Sequence, residues 1–152
     1  MENLNIMTIK EIQQELIDEF GFFSGWEERY KYIIDLGKEL EPYPEEYRTD
    51  KYKITGCQSQ VWLYPEFKNG KLYFKGDSDA MIVKGLVALL LRVYSGQTPD
   101  EILSNPPDFL NKIGIEKHLS PTRNNGLNSM LKQIKLYALA YKTLSEKQSG
   151  QS

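Results

Sequence analysis

Hydrophobic residues near the N-terminus recur every three to four positions, which is the spacing of one face of an α-helix. The first segment with this spacing contains Ile9, Ile12, Leu16, Ile17 and Phe20. Thr8 precedes it, with Glu11 three residues later, and this pair predicts a capping box at the helix start. After an interruption, the spacing returns with Trp26, Tyr30, Ile33, Ile34 and Leu40. The pattern therefore predicts two N-terminal helices.

The period changes after the proline-containing loop "EPYPEEYRTDKYK". Branched and aromatic residues then form two runs, 61–64 and 72–74, which is typical of β-strands. Asn69-Gly70 lies between the runs and favours a tight hairpin, because both residues accept positive φ. A short strand at 52–55 would complete an antiparallel sheet of about three strands. Cys57 would then lie on the connection between the first two strands.

The second half of the chain is predicted to be helical. Residues 80–94, "AMIVKGLVALLLRVY", form a buried helix with Ser78 or Asp79 as its N-cap. This segment is shorter than the ~20 apolar residues of a membrane span. "TPDE", at 98–101, is a helix-start signature, and a last helix begins at Ser120-Pro121 and ends near Ser145. We expect one α+β domain over residues 1–145, followed by a polar, disordered tail at 146–152.

Composition narrows the function classes. The formal net charge is -2, with basic residues interleaved among acids, so nothing favours nucleic-acid binding. One cysteine excludes a disulfide within the chain, and the N-terminus does not resemble a signal peptide. We therefore expect a cytoplasmic protein without a membrane partner.

The candidate chemistry centres on Cys57, which stands in the polar turn "ITGCQSQVW". A thiol is nucleophilic as its thiolate, which requires a partly exposed, electropositive site. The other interpretation is a small buried hydrophobic residue. With one cysteine and one histidine, His118, the chain has no metal-ligand constellation. Pairing of Cys57 with His118, as in a cysteine hydrolase or thiol peroxidase, stays open as a different class of function.

Arg123 follows the predicted helix start in "LSPTRNNGL". The dipole at a helix N-terminus disfavours a cation, so Arg123 makes sense if an anion, such as the Cys57 thiolate, shares the site. This hypothesis requires Arg123 and Cys57 to be close in space. Alternatively, Arg123 pairs with an acid on a neighbouring helix. Other charges lie near the loop, and they would steer a partner or simply be solvated: Arg48, Lys51 and Lys53 before the loop, and Asp77 and Asp79 after the hairpin.

Four stretches together resemble the SufE family of sulfur-acceptor proteins: "GWEERYKYIIDLGKEL", "GCQSQVW", "GDSDAMIVKGLVALL" and "LSPTRNNGL". The resemblance runs from about residue 22 to residue 140. It implies a compact α+β fold similar to the IscU-type iron–sulfur scaffolds. It also implies an accessory protein rather than an independent enzyme.

The resemblance implies that Cys57 accepts sulfur as a persulfide from a SufS-type cysteine desulfurase and passes it to a SufBCD-type scaffold. Pyridoxal phosphate would be the partner's cofactor, and this chain would carry none. Arg123 matches the family arginine near the cysteine loop. Partner contacts are expected at Gly56, Gln58, Ser59 and Asp79. A CsdE-type acceptor, serving another desulfurase, remains an alternative. We further expect the loop to have two positions, one tucked and one extended.

Overall fold

The architecture of the chain comes from a computed structural model that describes residues 7–150, with side chains described as far as residue 147. Three 3₁₀ turns, at Glu45–Tyr47, Asp50–Tyr52 and Ile115–His118, lie between the main elements. The main elements are α1 (Ile9–Gly21), α2 (Trp26–Lys38), β1 (Val61–Lys68), β2 (Lys71–Ser78), α3 (Met81–Tyr94), α4 (Pro99–Ser104), α5 (Asp108–Ile113) and α6 (Pro121–Gly150). The predicted α+β class is confirmed.

β1 and β2 form an antiparallel hairpin in which Val61 faces Ser78 and Lys68 faces Lys71. The connecting Asn69 and Gly70 have φ of 53° and 80°, as the sequence predicts for this turn. The prediction of a third strand at 52–55 is wrong for the described part of the chain. That segment makes one isolated bridge, between Lys53 and Trp62. A 3₁₀ turn ends at Tyr52 and a second turn follows at residues 55–56, so the extended stretch between them is too short for a strand.

The core is built around α3, whose Leu86, Leu89 and Leu90 are fully buried. This helix packs on the hairpin and crosses α2 where two glycines meet. A Cβ on Gly85 would lie 2.2 Å from the carbonyl oxygen of Ile33, and a Cβ on Gly37 would lie 2.8 Å from the Gly85 nitrogen. Because no real Cβ fits at these distances, the two helices approach backbone to backbone.

The helix starts show which local signals were reliable. Capping boxes form at Thr8 with Glu11 and at Thr98 with Glu101, as predicted. The predicted cap of α3 is wrong, because its N-cap is Ala80 without a side-chain bond. The residues proposed for that role are used elsewhere: Ser78 still pairs in β2, and Asp79 binds the segment before β1.

The last helix is longer than the sequence indicated. α6 continues to Gly150, so residues 146–150 of the predicted disordered tail are helical. No proline or glycine interrupts the chain between Ser145 and Gly150, and Glu146 and Lys147 are favourable in helices. Residues 1–6 of the predicted domain and residues 151–152 of the predicted tail lie outside the described part of the chain.

Candidate functional site

Cys57 stands on a short loop, residues 55–60, that is fastened at its base (the Cys57 loop). The Ile54 N–H donates to the Val61 carbonyl at 2.8 Å and closes the loop. Further along, the Gln60 N–H donates to Asp79 Oδ1 at 3.0 Å, and the Asp79 N–H donates to the Gln60 carbonyl at 3.2 Å. The loop is therefore tied both across its own neck and to the residue that follows β2.

Gly56 allows this loop to lie directly on α6, and Gly126 faces the thiol from the helix. Gly56 has a φ of +87°, and a Cβ there would lie 2.6 Å from Ser129 Oγ on the helix. The Cys57 thiol points toward the Gly126 carbonyl oxygen, 3.8 Å from Sγ. A Cβ on Gly126 would sit 3.6 Å from Sγ and would fill the space beside the sulfur. The thiol thus rests against helix backbone.

A small pocket of about 40 Å³ opens beside the sulfur. Its walls come from the Cys57 loop, the start of α3 and the first turns of α6: Cys57, Gln58, Ser59, Val83, Thr122, Arg123, Gly126 and Met130. Val83 and Met130 are buried and apolar, whereas Thr122 and Arg123 are exposed at the rim. The volume suits about one water-sized group next to Sγ.

Burial raises the pKa of the Cys57 thiol above its ordinary value. In this position the sulfur is therefore a neutral thiol at neutral pH, and its half-buried side chain packs against the core. At neutral pH the thiolate is therefore populated appreciably only if the environment of Cys57 changes.

Arg123 lies where the anion hypothesis requires it, because it lines the same pocket as Cys57. Its backbone N–H donates to Ser120 Oγ at 3.2 Å, which places Ser120 as the cap of α6. Among the side chains that the structure describes, no carboxylate forms an ion pair with Arg123. The exposed guanidinium is therefore available to an anion at the mouth of the pocket.

The other predicted site residues are spread around the loop. Gly56 and Gln58 are exposed, Ser59 is half-buried, and Asp79 is exposed while it holds Gln60. His118 is elsewhere: its ring stacks on Trp26, with centroids 4.0 Å apart, and it does not line the Cys57 pocket. The structure brings Arg123 to Cys57 and does not bring His118.

Sequence reasoning missed four residues that line the pocket: Val83, Thr122, Gly126 and Met130. The only signal was Gly126, an isolated glycine inside a helical pattern, which often marks a close packing contact. No group of three or more metal-ligating side chains is found within residues 7–147. The described helices also contain none that is long and apolar enough to cross a membrane.

Comparisons with known proteins agree on one family. A family model described as "SufE: Fe-S metabolism associated domain" matches residues 14–138. An uncharacterised SufE-like protein of Rhizobium meliloti is 46% identical over 126 residues, covering 80% of this chain and 90% of the relative. A SufE-like protein of Synechocystis sp., also uncharacterised, is 38% identical over 127 residues, covering 84% and 80% respectively.

A solved structure supports the fold. The solution structure of a hypothetical protein from Thermus thermophilus matches with a TM-score of 0.73 at 21% identity. The match covers 87% of this chain and 96% of that chain.

Fold and site together define an α+β protein that presents one half-buried thiol on a fastened loop. The chain belongs to the SufE family. Membership supports an accessory role in sulfur transfer within iron–sulfur metabolism and implies interaction with a cysteine desulfurase.

Proposed function

We propose that this protein accepts a sulfur atom on Cys57 from a SufS-type cysteine desulfurase and delivers it to a SufBCD-type iron–sulfur scaffold. The observation that carries the proposal is the position of Cys57, the chain's single thiol, on a loop beside a pocket of about 40 Å³. A pocket of this size suits one extra sulfur atom and is far smaller than the sites that hold small-molecule substrates, which measure roughly 300–1,000 Å³.

The transfer needs only thiol chemistry. The Cys57 thiolate attacks the outer sulfur of the desulfurase persulfide, and a new S–S bond forms at Cys57. The old S–S bond breaks, and the donor cysteine leaves as a thiolate, so no external oxidant or reductant is consumed. The Cys57 proton is released to solvent or to a base of the partner. Delivery repeats the exchange with an acceptor thiol.

The protonation state of Cys57 supports the expectation that the loop has two positions. Because burial raises the Cys57 pKa, the tucked thiol is a poor nucleophile. Movement of the loop away from α6 would lower that pKa and carry the sulfur toward the partner. Arg123, exposed at the pocket mouth, would then stabilise the thiolate or the persulfide anion.

The partner surface is proposed to include the exposed side of the Cys57 loop. Gly56 and Gln58 face outward there, and Ser59 is half-exposed. Asp79 is proposed to act at the rim, where its carboxylate already fastens Gln60. Release of that bond on docking would free the loop. Pyridoxal phosphate would belong to the desulfurase, and the sulfur is cargo rather than a resident cofactor.

Two alternatives are separated by specific observations. A CsdE-type client would use the same site, and co-purification with SufS-type or Csd-type desulfurases distinguishes the two. A cysteine hydrolase or thiol peroxidase requires a base beside Cys57. The engagement of His118 with Trp26 argues against that base.

Intact-mass analysis tests the proposal. The protein is incubated with a SufS-type desulfurase and cysteine, and we expect a gain of one or more sulfur atoms that a reductant removes. Cys57→Ser should show no gain, whereas Ser104→Ala, which removes an exposed hydroxyl on α4 away from the Cys57 pocket, should be modified as wild type is. An unmodified Cys57 beside a desulfurase that is turning over would reject the carrier role for that partner.

A further inference from the structure

Arg48, which lies outside the pocket, forms both ion pairs and cation–π contacts. Its Nη1 lies 2.9 Å from Asp77 Oδ2, and its Nη2 lies 2.9 Å from Glu45 Oε2. The guanidinium carbon also lies 4.8 Å from the centroid of the Trp62 ring and 5.3 Å from that of Tyr43. The cation is therefore held by two carboxylates and by two aromatic rings.

These contacts converge on the hairpin at the level where the Cys57 loop begins. Trp62 and Asp77 face each other across β1 and β2. Trp62 also forms the isolated bridge to Lys53, the residue next to Ile54, whose N–H closes the loop. Arg48 thus joins the segment before the loop, the strand after the loop and the strand that leads to Asp79.

The ion pair between Arg48 and Asp77 is partly shielded from solvent, which distinguishes it from an exposed surface ion pair. The Arg48 side chain is 27% exposed and that of Asp77 is 16% exposed, and Asp77 also receives Lys84 Nζ at 3.4 Å. Trp62 is buried beneath the guanidinium. A planar guanidinium can stack on an aromatic ring while it binds carboxylates in its plane, and a lysine ammonium cannot do both.

We propose that Arg48 is a positioning residue for Cys57: by holding Trp62 and Asp77 together, it fixes the neck of the Cys57 loop and keeps the thiol seated against α6. Arg48 acts through the loop base and does not line the pocket. The inference concerns the placement of the thiol and is independent of which molecule Cys57 reacts with.

The test compares Arg48→Lys and Arg48→Gln with wild type in the full chain. We expect Cys57 to be alkylated by iodoacetamide on the order of fivefold faster at neutral pH, since losing roughly 1 kcal/mol of cation–π and ion-pair energy opens the neck by that factor. We also expect faster hydrogen exchange at the Ile54 amide. The Leu72 amide, bonded to the Gln97 carbonyl at 2.8 Å, is the internal control and should be unaffected.

Arg92→Lys is the matched control for loss of stability. Arg92 pairs with Glu15 at 2.7 Å and with Glu19, so it ties α3 to α1 away from the Cys57 pocket. Its replacement should lower the melting temperature without changing the alkylation of Cys57. Equal alkylation of wild type and Arg48→Lys would overturn the proposal, as would an equal acceleration by Arg92→Lys. Arg48→Lys retains the charge, which provides a folded variant if Arg48→Gln does not fold.

Discussion

The contact between Gly56 and α6 leads to a sharp prediction for Gly56→Ala. The φ of +87° costs a non-glycine residue about 1–2 kcal/mol. The new Cβ would also lie 2.6 Å from Ser129 Oγ, so the serine must leave its rotamer, at a cost of about 0.5–1.5 kcal/mol. Together these effects amount to about 1.5–3.5 kcal/mol if the loop stays in place. Detachment of the loop from α6 relieves part of the strain and exposes Cys57.

Urea unfolding and the alkylation rate of Cys57 separate the two sources of strain. Gly70→Ala is the matched control, because Gly70 has a φ of +80° with nothing within 4 Å of the new Cβ. It should lose only the backbone contribution and leave alkylation unchanged. In Gly56→Ala/Ser129→Ala the overlap disappears, and about 1 kcal/mol should return. If Gly56→Ala matches Gly70→Ala in both assays, the close contact with α6 is not real.

Three further predictions concern the same loop. Arg123→Ala should slow neutral-pH alkylation of Cys57, because the exposed guanidinium at the pocket mouth favours the thiolate over the neutral thiol. Lys132→Ala removes an exposed cation elsewhere on α6 and should leave the rate unchanged. Equal rates for wild type and Arg123→Ala would leave Arg123 a structural role. Asp79→Ala removes the acceptor of the Gln60 N–H. Loss of this hydrogen bond, about 1 kcal/mol, should speed alkylation of Cys57 roughly fivefold. An unchanged rate would mean that this bond does not hold the loop. Burial raises the pKa of Cys57 in the folded state. The neutral thiol therefore contributes to stability below the unfolded pKa of about 8.5, and this contribution is lost as pH rises toward the folded pKa. Urea unfolding at about pH 7.5 and about pH 9.5 should therefore show a steeper loss for wild type than for Cys57→Ser, and parallel slopes would contradict it.

Local signals in the sequence were reliable because they depend on a few adjacent residues. The Thr8 and Thr98 capping boxes and the Asn69-Gly70 turn form as predicted, since each is decided within four residues. The predicted third strand failed for the opposite reason. Whether residues 52–55 extend into a strand depends on turns on either side and on a partner strand, which the period alone does not specify.

The sequence indicated two residues of the candidate site but not the contacts that position them. Cys57 stood out through its polar setting, and Arg123 through its place at a helix start. The contacts that position the thiol are long-range: Gly126 is 69 residues from Cys57 in the chain. Arg48 and Asp77 appeared in the sequence only as charges near the loop. Their ion pair depends on strand register, which fixes Trp62 opposite Asp77.

The crossing of α2 and α3 at Gly37 and Gly85 has a mechanical consequence for the Cys57 pocket. Val83, on the pocket wall, lies two residues before Gly85, where the helices touch without intervening side chains. Such a junction has no soft layer that can be compressed, so sliding one helix past the other would force main-chain atoms into collision. The α3 side of the pocket is therefore rigid, and if Cys57 carries sulfur as we propose, the movement that brings it to a partner would come from the opposing Cys57 loop.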